Sequence, residues 1–202
     1  MEKKRIGILG GSFDPVHCGH VALGRAAIAE GNLQKLIVMP AHVQPFKQGR
    51  EVAEDKHRME MCRLAFEDTE KAEVSDYEMT QTEISYTYDT LAWLESVYPD
   101  SSLYFITGTD AFLEIEYWRK GQELLEHYSF IVSVRPGYKE KDLEEKIQYY
   151  MEQYHTEVIQ LHAEMPDVSS TKIKARRSRD LSIEEMVPEC VERYIHEHKL
   201  YV

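Results

Sequence analysis

Residues 10–20 read GGSFDPVHCGH and directly follow the apolar run Ile6, Gly7, Ile8, Leu9. A glycine-rich turn leading into paired histidines is a device for holding phosphates. Gly10 and Gly11 can take backbone angles closed to other residues and let the chain pass close to a ligand. Ser12 adds a hydroxyl, and Pro15 fixes the turn before a helix. His17 and His20 are three residues apart, so on a helix they share one face near its N-terminus, where unpaired N–H groups and the positive end of the dipole favour anions. Two imidazoles there supply donors whose charge can follow the phosphate they touch. The plainer reading is a strand, a turn and a helix carrying two exposed histidines. Zinc ligation by His17, Cys18 and His20 is the other alternative, but the chain has no CxxC or HExxH partner and a site needs three or four ligands.

A second chemically loaded stretch lies near the C-terminus, where residues 168–174 read VSSTKIK. Ser169, Ser170 and Thr171 fall where a helix should start, and hydroxyl residues cap helix N-termini. Capping alone accounts for an isolated SST. With Lys172 and Lys174 following, the hydroxyls, amides and ammonium groups can also converge on a polyphosphate. Arg176, Arg177 and Arg179 read equally well as a solvated helix face, and Lys47 and Arg50 add basic ground in an early loop. These patches stand out because the formal net charge is −12, which argues against general affinity for nucleic acid or anionic membranes.

The elements that must position these residues alternate β and α. Arg5 to Leu9 and Leu36 to Met39 read as buried strands, separated by a helix from His17 or Cys18 to Glu30 that stops at Gly31. A loop with Pro40 and Pro45 follows. Next come a helix near Asp55 to Phe66, a strand near Glu73 to Tyr77, a helix near Tyr88 to Tyr98 and a strand at Leu103 to Thr107. Helical pieces are expected at Asp110 to Glu114 and Trp118 to His127, then a strand at Phe130 to Val134 broken by Arg135, Pro136 and Gly137. A charged helix from Lys141 to Gln153, read as solvated, leads to a strand at Glu157 to Leu161 and to two or three short C-terminal helices.

This alternation predicts an α/β fold, a Rossmann-like, mostly parallel sheet with helices on both faces and a small C-terminal helical part. Its ligands are expected at the carboxyl ends of the strands. With 202 residues, 43% of them hydrophobic, and no repeat or long linker, one domain spanning 1–202 is the simplest account. Cys18, Cys62 and Cys190 are odd in number and free of metal-type spacing, which fits a reducing cytoplasm. No segment reads as a signal peptide or reaches membrane-spanning length.

His17, Cys18, Gly19 and His20 form an HxGH pattern, by which the chain resembles the nucleotidylyltransferase superfamily. The longer GGSFDPVHCGH is similar to that of bacterial nicotinate mononucleotide adenylyltransferases, and VSSTKIK to their ISSTxIR. SYTYDTL at 85–91, LYFITGTDA at 103–111, Trp118 and the ending VPECVERYIHEHKLY extend the likeness from Gly7 to Tyr201. The resemblance implies adenylyl transfer from ATP to nicotinate mononucleotide, with Mg²⁺ travelling on ATP rather than in a protein cage. It further implies that His17 and His20 act on the ATP phosphates, His20 nearest the α-phosphate, with Gly10, Gly11, Ser12 and Phe13 nearby. Ser169, Ser170, Thr171 and Lys174 would hold the outer phosphates, and Gly108 and Asp110 would approach the ribose, although Asp110 could equally cap the next helix. Lys47 would serve the mononucleotide end. Trp118 would stack on its pyridine, and backbone donors near Thr87 and Trp118 would receive its carboxylate, although Trp118 taken alone reads as a core residue.

Two positions depart from the family pattern. Lys174 stands where arginine is usual, keeping the charge and losing the bidentate fork, and Pro40 to Lys47 reads PAHVQPFK where a PPHK-like loop is common. His42 in that loop receives no role. Rivals to the nicotinate reading are adenylyl transfer to nicotinamide mononucleotide or phosphopantetheine, and a nucleotide-binding regulator without turnover. A homo-oligomer is compatible with all of them.

Overall fold

The computed structural model describes residues 3–42, 52–81, 84–134 and 140–202. Six parallel strands form one sheet: β1 (Lys4–Gly11), β2 (Lys35–Pro40), β3 (Ala72–Val74), β4 (Ser101–Gly108), β5 (Ser129–Ser133) and β6 (Val158–Leu161). Their order across the sheet is β3-β2-β1-β4-β5-β6. The chain winds outward from β1 in one direction, returns to the centre, and winds outward in the other. This is the doubly wound Rossmann-like order, and the crevice at its β1/β4 switch is where such sheets bind ligands.

The buried residues alternate between the two faces, as a strand covered on both sides requires. Leu9, Leu36, Val38, Tyr104, Ile106 and Ile131 face one core, and Ile6, Ile8, Ile37, Met39, Leu103, Phe130 and Val132 face the other. The first core is closed by α1 (Cys18–Glu30), α2 (Asp55–Phe66), α7 (Ser170–Arg177) and α8 (Glu189–Glu197). The second is closed by α3 (Thr87–Val97), α4 (Thr109–Phe112), α5 (Gly121–His127) and α6 (Glu140–Tyr154). Val191 and Ile195 of the short α8 are fully buried, and each such side chain contributes about 1.5–3 kcal/mol by leaving water. The C-terminal helices are therefore part of the core that supports the fingerprint segment. No helix of the described residues is long and apolar enough to cross a membrane.

The structure corrects the expected elements at three places. The third strand ends at Val74, because after Ser75 donates to the Val38 carbonyl the chain turns through Tyr77 into a 3₁₀ turn at Glu78–Thr80. The helix expected from Trp118 begins at Gly121. A 3₁₀ turn at Ile115–Tyr117 precedes it, and Lys120 takes a left-handed conformation at φ 57°. A Cβ on Gly121 would lie 2.1 Å from the Ile115 carbonyl oxygen, so only glycine lets the turn close. Finally, α6 is not a solvated helix, since its Leu143 and Tyr150 are completely buried.

Candidate active site

Leu9 of β1 lies opposite Ile106 of β4, so Gly11 and Gly108, each two residues further on, end their strands level with each other. The chain leaves β1 toward α1 on one face and leaves β4 toward α4 on the other, opening the crevice between them. A Cβ on Gly10 would meet the Phe105 ring at 3.2 Å, so the glycine leaves room for that ring at the end of β1.

The fingerprint segment forms the first wall. Ser12 and Phe13 are buried, and Phe13 is held in the left-handed region at φ 46°, a strained choice for a bulky residue that marks functional loops. His17 is the N-cap of α1 with extended backbone, one residue ahead of the position that a shared helix face requires. The imidazoles of His17 and His20 nonetheless stack, with centroids 3.7 Å apart and planes at 25°. The His17 backbone N–H donates to Nδ1 of His20 at 3.2 Å. With Nδ1 accepting, a neutral His20 carries its hydrogen on Nε2 and presents a donor from the far side of the ring. The edge of Phe13 supports the His20 ring, with centroids 4.8 Å apart. Phe13 is only 1% exposed, its ring packed beneath His20. Gly19 is explained by His17, whose Nδ1 would lie 3.0 Å from a Cβ at that position.

The second wall is the start of α7. Ser169 is its N-cap, with Oγ accepting from the Lys172 backbone N–H at 3.2 Å. Ser170 Oγ donates to the Pro15 carbonyl at 2.9 Å across 155 residues of sequence, docking α7 on the fingerprint loop. The positive ends of α1 and α7 are thereby brought to one place, with exposed Thr171 beside them. Lys174 Nζ reaches into the fingerprint itself and pairs with Asp14 at 2.6 Å. Lys172 does not join it: its ammonium pairs with Asp167 at 2.9 Å, and both residues are exposed. Arg177 also departs from the solvated face expected for it, being only 5% exposed.

Behind these walls stand residues to which the motifs assign no role. Asp14 is a buried carboxylate that also accepts from the Tyr201 hydroxyl at 2.8 Å and the Ala53 backbone N–H at 3.1 Å. Arg58 is fully buried, and its guanidinium donates to the carbonyls of Ser12 at 2.7 Å, Ala41 at 2.6 Å and Ala53 at 3.0 Å. It also pairs with Asp55, which holds His42 in turn, so His42 is a structural residue of this brace. An arginine among Met59, Met61 and Cys62 on the buried side of α2 is the one signal that could have exposed the brace from sequence. Tyr201 gave no such signal. The Cys18 backbone N–H donates to the Met186 carbonyl at 3.0 Å, adding a further tie to the C-terminal part.

The other half of the crevice lies on the opposite face. Gly108 is the N-cap of α4, so Asp110 is not the cap but stands in its first turn, half-buried, while the Thr109 hydroxyl donates to the Ser133 carbonyl at 2.9 Å. Trp118 is half-buried and edge-on to Phe105, with centroids 6.0 Å apart, which links it to the residue against which Gly10 packs. Its backbone N–H donates to the Ile115 carbonyl at 3.0 Å within the turn. Thr87 opens α3, whose first-turn N–H groups lack intrahelical acceptors. Arg119 joins the two pieces, 4.4 Å above the Tyr86 ring and 3.4 Å from Asp89. Glu116 ties the Trp118 turn to α6, accepting from Tyr154 at 3.0 Å and Tyr149 at 3.1 Å and pairing with Lys146. Lys47 and Arg50 lie outside the described residues.

Residues 8–176 match the family model described as cytidylyltransferase-like. A "probable nicotinate-nucleotide adenylyltransferase" of Carboxydothermus hydrogenoformans is 37% identical, covering 100% of both chains. One from Desulfitobacterium hafniense is 39% identical, covering 98% of this chain and 96% of that one. Among solved structures, the Plasmodium falciparum nicotinic acid mononucleotide adenylyltransferase complexed with NaAD superposes with a TM-score of 0.81 at 22% identity, over 98% of this chain and 97% of that one, which shows the shared fold. The same enzyme complexed with APC gives 0.79 over the same coverage. The chain belongs to the cytidylyltransferase-like family and, within it, to the nicotinate-nucleotide adenylyltransferases, a group of nucleotidyltransferases.

Proposed function

We infer that the protein transfers the adenylyl group of ATP to nicotinate mononucleotide, giving nicotinate adenine dinucleotide and pyrophosphate in NAD biosynthesis, with the whole chain acting as one cytoplasmic domain. The observation that carries this reading is the docking of α7 on the fingerprint loop, which sets two helix N-termini, two stacked imidazoles and a lysine around one crevice end. In the reaction an oxygen of the mononucleotide phosphate bonds to the α-phosphorus, and the bond from that phosphorus to the bridging oxygen of pyrophosphate breaks. The nucleophile is already an anion and the leaving group needs only charge neutralisation. Positioning and electrostatic stabilisation can therefore supply most of the acceleration.

The roles follow from what each group offers. His20, its tautomer held by the His17 N–H, donates from Nε2 to the α-phosphate, and His17 stacks behind it with Gly10, Gly11 and Ser12 alongside. Ser169, Ser170, Thr171 and Lys174 take the outer phosphates. Gly108 and Asp110 take the ribose, and Trp118 and Thr87 the pyridine end, with Lys47 as the phosphate ligand on that side. Nucleotidyltransferases use a divalent metal with ATP. Among the described residues no group of three or more His, Cys, Asp or Glu is arranged to hold one, and the donors around the crevice suit phosphate oxygens rather than a cation. A Mg²⁺ carried on the phosphates fits these residues, and when bound it neutralises charge on the leaving group. Incubation with ATP, Mg²⁺ and, separately, nicotinate mononucleotide, nicotinamide mononucleotide and phosphopantetheine tests the reading. Pyrophosphate release with the dinucleotide as product is expected for the first, and release only with phosphopantetheine, or with none, would refute it.

A further inference from the structure

Asp14 lies in the middle of the fingerprint yet is turned away from any phosphate role: an anion beside an anion site must be neutralised. Its carboxylate is buried, and three donors from three distant segments meet on it, namely Lys174 Nζ at 2.6 Å, the Tyr201 hydroxyl at 2.8 Å and the Ala53 N–H at 3.1 Å. Tyr201 and the Ala53 N–H share Oδ1, which leaves Oδ2 to Lys174. Tyr201 is 187 residues away in sequence and sits in a left-handed conformation at φ 61°, beyond α8. Burial and the neighbouring carboxylate push its hydroxyl well above the usual tyrosine range, so it remains a donor at every working pH. The Lys174 ammonium also lies 6.0 Å from the Tyr201 ring centroid, so the two Asp14 partners touch one another's space.

We propose that Tyr201 is a positioning residue for ATP, its hydroxyl fixing the Asp14 carboxylate so that Asp14 in turn aims Lys174 at the outer phosphates. Lysine has a flexible stem and a point charge, and it gains more from an external guide than a forked arginine does. The C-terminal segment is then a third component of the triphosphate site, joined to the fingerprint and to α7 through one carboxylate. The proposal rests on the reading that Lys174 contacts ATP.

The test is a double-mutant cycle on Tyr201→Phe and Lys174→Ala, reading KM for each substrate, kcat and melting temperature. Tyr201→Phe keeps the ring in place and removes only the hydroxyl, so the fold should survive. It is expected to raise KM for ATP about three- to tenfold, the scale of one net hydrogen bond, with KM for the mononucleotide unchanged. In the Lys174→Ala background the same change should add nothing. Tyr201→Phe overturns the proposal if it leaves KM for ATP unchanged while Lys174→Ala raises it, and the ATP reading of Lys174 then stands. An equal loss with and without Lys174, or both KM values rising together with a lower melting temperature, likewise overturns it in favour of a structural role. If Lys174→Ala leaves KM for ATP unchanged, the underlying reading of Lys174 fails and the proposal with it.

Discussion

His20 shows how a motif residue obtains its chemistry from a neighbour's backbone. Because Nδ1 accepts the His17 N–H, the ring has one orientation and one neutral tautomer, and its donor is fixed before substrate arrives. Removing a preorganised donor of this kind costs about 10²–10³-fold in rate, so His20→Ala should lower kcat/KM by that factor with little change in melting temperature. Steady-state kinetics beside a thermal melt checks it, and near-normal turnover would refute the assignment. Gly19 supplies a subtler test, since a methyl there must displace the His17 ring by a few tenths of an ångström. Helix propensity favours alanine over glycine by up to about 1 kcal/mol. Gly19→Ala should therefore leave the melting temperature level or raised while kcat/KM falls about tenfold, because small misplacements are costly where geometry carries the catalysis. A variant that is both less stable and fully active would contradict that account. These histidines and glycines are legible in sequence because their spacing is local, whereas Asp14 is visible but mute until Lys174 and Tyr201 arrive from the other end of the chain.

Elements were legible where a local signal marks both ends and less so where tertiary contacts decide. The helices Cys18–Glu30 and Asp55–Phe66 begin and end where capping, periodicity and Gly31 predict. The strand after α2 is cut short by its position at the sheet edge, where only β2 is available to pair. The 3₁₀ turn that follows buries Glu78, and its carboxylate accepts from the Thr90 hydroxyl at 2.6 Å, which joins the turn to α3 behind Thr87. Burial disfavours the ionised form and pushes the Glu78 carboxyl above its usual range, although the Thr90 bond pulls the other way. The folded state thus holds this proton to higher pH than the unfolded chain does. Its stabilising effect is complete below the unfolded pKa, is lost as pH rises through the raised folded pKa, and does not return above it. Glu78→Gln keeps an acceptor for Thr90 and removes the ionisation. The two proteins should melt at similar temperatures near about pH 4, and the variant should melt higher at about pH 8. A wild type that gained stability over the variant with rising pH would show that ionised Glu78 is stabilised where it sits.

At the scale of the molecule, the doubly wound order sets the groups proposed for the ATP phosphates on one face of the sheet and those proposed for the pyridine end on the other, with Asp110 of α4, proposed for the ribose, on that second face too. α1 and α7, packed on one core, carry the groups assigned to the ATP phosphates, while α3 and the Trp118 turn, packed on the other, carry those assigned to the pyridine end. Phe105 of β4 touches both, with Gly10 on one side and Trp118 on the other. Substitutions among the phosphate groups of the first face should therefore move KM for ATP and spare that for the mononucleotide, and those at Thr87 and Trp118 should do the reverse, whereas Asp110, on the second face, belongs with ATP. The N-terminus of α3, whose orphan amides and dipole favour an anion, is the expected seat of the nicotinate carboxylate beside Trp118. An amide NH₂ facing those donors leaves buried groups unpaired at about 1–3 kcal/mol each, so kcat/KM should favour the acid over the amide by at least roughly tenfold. Trp118→Ala should raise KM for nicotinate mononucleotide well above any change in KM for ATP, because only the pyridine loses its stacking surface. Equal use of the two mononucleotides would remove the carboxylate from α3 while leaving adenylyl transfer intact. A tryptophan variant impaired in ATP binding instead would mean that Trp118 does not serve the pyridine end.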